Sequence, residues 1–154
     1  MKMLPYTKYV MFWVLAFTMA AGSGCGGRDP NLPRVVPAGG RVTLAGKPLS
    51  GAMVTFVPTG ATRGPVAEGR TDPQGRYELA SQQGRGAAPG AYRVTIMKLV
   101  MPDGSDYTPE AGVGPADSPA RQVLPPRYSD LQRTTLTATV PEEGSSSLDF
   151  ALTP

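Results

Sequence analysis

Two rhythms of apolar residues divide this chain. Residues 9–21, YVMFWVLAFTMAA, are almost continuously apolar and follow a start that carries Lys2 and Lys8 but no acid. After Pro37 the rhythm changes to period two, the mark of strands that bury one face. Val42 and Leu44 share a face with Arg41 and Thr43 opposite, and Val54 and Phe56 share one with Met53, Thr55 and Val57 opposite. Ala67 and Gly69 alternate with Glu68 and Arg70, a pattern of small residues that suits a strand squeezed against a second sheet. The same alternation selects Tyr77 and Leu79; Tyr92, Val94 and Ile96; Leu136, Ala138 and Val140; and Leu148, Phe150 and Leu152. Seven strands are therefore predicted. No stretch after the apolar run keeps a helical spacing for three turns.

The segments between these strands carry turn chemistry. In TDPQGRY, the Asp72 carboxylate caps a turn, Pro73 presets its second position and Gly75 takes the left-handed residue of a type I turn with a bulge. Gly46 and Gly51 flank Pro48 in LAGKPLSGA, a connection that turns the chain while keeping the inward faces aligned. Nineteen glycines and 17 prolines disfavour long helices. The expected fold is all-β, a seven-stranded antiparallel β-sandwich over residues 38–154 with two inner faces enclosing one core. Residues 99–122 break the pattern, being rich in Pro, Gly and acid with few large apolar groups. Their composition predicts a disordered insertion.

A positive start, a short apolar segment and then small residues form the three-part layout of a secretory signal. Thirteen helical residues rise about 20 Å, short of the roughly 30 Å of a bilayer core, which argues against a permanent transmembrane span. The small residues lead straight into Cys25, the only cysteine. Gly22-Ser23-Gly24-Cys25 resembles the lipobox of bacterial lipoproteins, although Gly22 stands where that family has Leu or another aliphatic residue. That departure leaves ordinary signal cleavage nearby as an alternative. On the lipobox reading residues 1–24 are a lipoprotein signal peptide, Cys25 is the lipidation site, and residues 25–37 are a flexible tether to the membrane. Gly26 is not the acidic residue linked to inner-membrane retention, so the resemblance points to the outer membrane.

GRVTLAGKPLSGAMVTFVP, then EGRTDPQGRYEL, then PGAYRVTIMK resemble the carboxypeptidase regulatory-like, or transthyretin-like, domain of many bacterial lipoproteins. The matched positions are Gly40 and Val42, Gly46 to Ala52, the Val54–Phe56 strand, Thr71-Asp72 with Gly75 and Tyr77, and Pro89-Gly90 with Tyr92 and Val94. LPPRYSD at 124–130 followed by LTATV looks like the end of small envelope lipoproteins carrying that domain. The resemblance covers about residues 38–153 and implies a structural or recognition appendage. Its motifs, mostly turns and core, are specific for the fold and almost silent on activity.

Charge and residue chemistry narrow the function. Two of the 15 basic residues lie in the leader, leaving 13 against 12 acids and no basic run, so a nucleic-acid partner is not expected. Histidine is absent, which removes the zinc peptidase ligand set and any Ser-His-Asp arrangement; Ser81, Ser105 and Ser129 read as loop residues. Asp103, Asp106, Glu110 and Asp117 match no calcium-loop spacing and read as solvated acids. No metal or cofactor is expected. Lys47 at a turn, Lys98 at a strand end, and Glu78 and Asp149 on outward faces argue against an isopeptide crosslink, which needs buried partners. Glycan recognition asks for exposed aromatic platforms; with Tyr77 and Tyr92 assigned to the core, the candidate surface is Tyr107, Arg127 and Tyr128, although Tyr128 in PPRYSD reads first as a packing residue at the strand entry. The expected function is that of a non-enzymatic, lipid-anchored envelope protein, structural or protein-binding through open strand edges. The alternative is a carbohydrate-binding module for an envelope polysaccharide.

Overall fold

The computed structural model describes residues 33–108 and 117–154. Cys25, the signal segment and most of the tether lie outside the described residues. Among those described, no helix is long and apolar enough to cross a membrane.

All seven expected strands form, and the described residues are mostly β, in sheets that are largely antiparallel. They are β1 (Gly39–Leu44), β3 (Met53–Pro58), β4 (Ala67–Arg70), β5 (Arg76–Glu78), β8 (Gly90–Met97), β11 (Thr137–Val140) and β12 (Phe150–Leu152). Five two-residue strands join them: β2 (Lys47–Pro48), β6 (Ala80–Ser81), β7 (Gly84–Arg85), β9 (Leu99–Val100) and β10 (Arg121–Gln122). The larger sheet has the order β11-β8-β3-β4-β6-β7. The smaller has the order β12-β1-β2, with β5 also paired to β1.

The period-two faces meet in one core. Val42, Phe150 and Leu152 come from the smaller sheet, and Val54, Phe56, Ala67, Tyr92, Val94, Ile96 and Val140 from the larger, all within a single buried cluster. Leu136, Ala138 and Leu148 pack against it while only partly buried. Gly69 is squeezed as its sequence implied: a Cβ there would fall on the Glu78 carbonyl.

The turn at Asp72 has the expected chemistry. One carboxylate oxygen accepts the Gln74 and Arg76 N–H groups at 2.9 and 2.8 Å, and Gly75 sits at φ 74°. The strands on its two sides do not pair with each other, however. β4 pairs β3 and β6, whereas β5 pairs β1. The chain switches sheets at Leu79, whose N–H is bonded to the Ala38 carbonyl, so that β5 belongs to one sheet and β6 to the other.

Two expectations need correction, and one short element was not expected. Pairing is not antiparallel throughout, because β12 runs parallel to β1, with Val42 opposite Phe150 and Leu44 opposite Leu152. The two strands lie a hundred residues apart in the chain, so no hairpin constrains their direction. The entry to β11 contains a short helix, α1 (Pro126–Ser129), with Pro126 at its first position, where the missing N–H costs nothing. Finally, both ends of the 99–122 stretch are ordered. β9 and β10 form a two-stranded ladder, and Val100 bridges Asp106. Residues 109–116 lie outside the described part.

Candidate functional site

The three residues proposed as a binding surface meet different fates. Tyr128 is buried, its helix packed against β8. Its hydroxyl lies 3.1 Å from Thr153 Oγ1 and accepts the Thr153 N–H at 3.1 Å. Arg127 stays exposed, its guanidinium 5.0 Å from the Tyr128 ring centroid and bonded to the Thr153 and Pro154 carbonyls. Tyr107 is also buried, and its carbonyl accepts Arg70. Neither tyrosine offers a free ring face, so the expected aromatic platform is absent at these positions. For Tyr128, whose ring belongs to the core cluster, this is the packing role that its place at the entry to β11 implied.

Asp103 and Asp106 of the long segment are engaged locally, and Glu110 lies outside the described residues. Asp103 accepts the Ser105 hydroxyl at 2.7 Å and its N–H at 2.9 Å, which hold its carboxyl below the usual carboxylate range. Asp106 pairs with Lys98. Among the described residues no three metal-ligating side chains cluster.

The phenols provide a probe of this packing. Hydrogen bonding to Thr153, helped by the Arg127 guanidinium, lowers the Tyr128 hydroxyl to about 8. Burial, with the Asp149 carboxylate adding, pushes Tyr77 well above the usual phenol range, and burial also raises Tyr92. The signs are opposite. Tyr128 adds stability as pH rises from 8 toward 10 and loses it as pH falls through 8, whereas the contributions of Tyr77 and Tyr92 are present below pH 10 and fade above it. Phenolate absorbance is expected to show a step near pH 8 that Tyr128→Phe removes, with Tyr77 and Tyr92 ionising only as the chain unfolds in alkali. An early step that survives Tyr128→Phe would contradict the assignment.

A different surface has the shape of a binding site. A groove of about 560 Å³ lies over β1 and β5, within the range of small-molecule sites. One wall is Arg85 and Gly86, and the other is the segment 145–149. That second wall sits close to β1 because Gly40 has no side chain; a Cβ there would fall on the Leu148 carbonyl. The groove floor carries Arg41 and Arg76, directly opposite each other in the β1–β5 register, with Glu78 opposite Gly39. Asp149 is fixed at the rim by accepting the Arg41 N–H at 2.7 Å. Among the described residues no carboxylate lies within ion-pair distance of Arg41, Arg76 or Arg85. The polar face of β1 was legible in the alternation of Arg41 with Val42. What brings it beside Arg76 is a pairing between strands some thirty-five residues apart, which no local pattern encodes, and Arg85 arrives on the β6–β7 hairpin.

Comparison with protein-family models, curated proteins and solved structures finds no match for this chain.

Proposed function

We propose that this chain is a recognition module of the bacterial envelope, held to the membrane by a lipid on Cys25 and working without catalysis. On this reading the two sheets are a transthyretin-like sandwich of the carboxypeptidase regulatory-like kind. Its support is the set of seven strands, the Asp72–Gly75 turn chemistry and the single core shared by both sheets. The observation that carries recognition is the groove over β1 and β5, where exposed charged side chains converge without ion-pair partners among the described residues. A chain without a single histidine supports binding rather than acid–base or metal-assisted catalysis.

Partner binding by strand addition has less to work with. The larger sheet ends in β7, two residues long, and β11, four residues long, and short edge strands are how native sheets discourage added strands. The groove is therefore the place for a partner.

In-cell crosslinking of the tagged chain, with mass spectrometry and polysaccharide analysis of the captured material, tests this reading against a Cys25→Ser control. One dominant partner, captured only with the anchor intact and lost in the Arg41→Gln/Arg76→Gln variant, is the expected result. Capture that ignores both substitutions would overturn it.

A further inference from the structure

We propose that the groove over β1 and β5 binds a saccharide bearing a carboxylate, such as a uronic acid unit of an acidic polysaccharide; this deepens the recognition reading above and rests on it. The argument starts from an electrostatic oddity. Like charges directly opposite on an antiparallel pair are destabilising, yet Arg41 and Arg76 face each other in register with no carboxylate of the described residues in ion-pair reach. Arg85 adds a third guanidinium on the wall. Two adjacent planar forks are matched to a planar carboxylate, which takes parallel N–H bonds from each. A bound carboxylate would relieve the repulsion that the folded chain otherwise carries.

The other groups in the groove decide between kinds of anion. Glu78 and Asp149 also line it, so a polymer with a charge on every unit, such as polyphosphate or an acidic peptide, would bring anions against two carboxylates. A sugar acid has one carboxylate and several hydroxyls on the same ring. Carboxylate side chains accept from hydroxyls, and the serines at 145–147 both donate and accept. Three arginines for the charge, with two acids and the serines for the hydroxyls, form a donor and acceptor set that a uronic acid satisfies.

The test is calorimetric titration of the full chain in detergent micelles with oligogalacturonate, against dextran, poly-L-glutamate and polyphosphate as comparison probes. Oligogalacturonate is expected to bind, and the others at least tenfold more weakly. Arg41→Gln/Arg76→Gln should weaken binding at least tenfold, while Arg93→Gln, whose guanidinium is bonded to the Leu131 carbonyl, leaves it unchanged. Arg41→Lys/Arg76→Lys keeps both charges but loses the forks, and should still weaken binding severalfold. Glu78→Gln gives the sharpest contrast: it should weaken binding of a hydroxylated ligand, whereas at a site that attracts by charge alone it would strengthen it. Far-ultraviolet circular dichroism confirms that each variant is folded. No binding of oligogalacturonate, equal binding of poly-L-glutamate or polyphosphate, or tighter binding by Glu78→Gln would overturn the proposal. An anchor-dependent protein captured through the groove in cells, with no oligogalacturonate binding, would overturn this inference alone and leave the recognition reading standing.

Discussion

Phe56→Ala is expected to lower the stability of the folded chain by about 4 kcal/mol, a large share of the total for a domain of this size. Phe56 is fully buried in β3, at the centre of the larger sheet. Its ring touches Tyr92 of the same sheet at 5.6 Å between centroids. It also touches Phe150 of the smaller sheet at 6.1 Å, nearly edge-on, and Tyr77 at 6.3 Å. Removing it therefore costs the transfer of one large apolar group and opens a cavity on the seam where both sheets meet. Each of the three aromatic neighbours also loses a tilted ring contact, on the order of 0.5–1.5 kcal/mol apiece beyond area burial. The rigid β3–β4 and β3–β8 ladders on either side limit how far the backbone can collapse into the space. In urea the unfolding midpoint should fall by more than about 1 M. Phe56→Leu, which keeps apolar bulk at the site, should cost markedly less. A midpoint unchanged by Phe56→Ala would mean that the two sheets do not share this core.

The residues around Phe56 show how far the sequence carries. Phe56 itself, Val54, Tyr92, Val94, Ile96 and Phe150 are all assigned inward by alternation alone, because a strand with one wet face has no other way to arrange them. The Asp72–Gly75 turn is equally readable, since its chemistry is confined to five consecutive residues. Pairing partners are another matter. The parallel contact of β12 with β1 and the switch of sheet at Leu79 depend on loop lengths and on how a shared core is filled, and period two is indifferent to both. The candidate site was legible only in part, the packing of Tyr128 at the entry to β11 being the part that its position implied. Tyr107 stands in a stretch with no strand rhythm and so looked available for contact, but such stretches can fold back and bury their few large side chains. Arg41, Arg76 and Arg85 looked like ordinary polar-face residues, and only the β1–β5 register and the hairpin carrying Arg85 make them neighbours of one groove.

Lys98, legible in the sequence only as a strand-end residue, yields the second large effect. It follows β8 at the strand end, as read, but its side chain is only 9% exposed. The ammonium donates to the Ser50 carbonyl at 2.7 Å and to the Asp106 carboxylate. Its backbone N–H is bonded to the Gln122 side-chain oxygen at 2.9 Å, and its carbonyl accepts the Val123 N–H at 2.9 Å. One residue thus ties both ends of the 99–122 segment to the strand framework. Gly51 makes room for the pair, because a Cβ there would fall on the Asp106 carboxylate.

The two halves of this pair are not equivalent. Asp106→Ala leaves a buried ammonium with only a carbonyl to meet it, and should cost about 2–3 kcal/mol. Lys98→Met removes the charge and keeps the apolar stem, and should cost less than about 1 kcal/mol, because the half-exposed Asp106 carboxylate then turns to water. Adding Lys98→Met to Asp106→Ala should therefore recover most of the lost stability, a sign that simple loss of an attractive contact cannot produce. Urea denaturation of the four proteins measures the cycle, and limited proteolysis reports the segment itself. Cleavage within 99–122 should rise in Asp106→Ala and fall back in the double variant. If Lys98→Met alone costs as much as Asp106→Ala, the ion pair contributes net stability, and it is the attraction between the two charges that pins the segment.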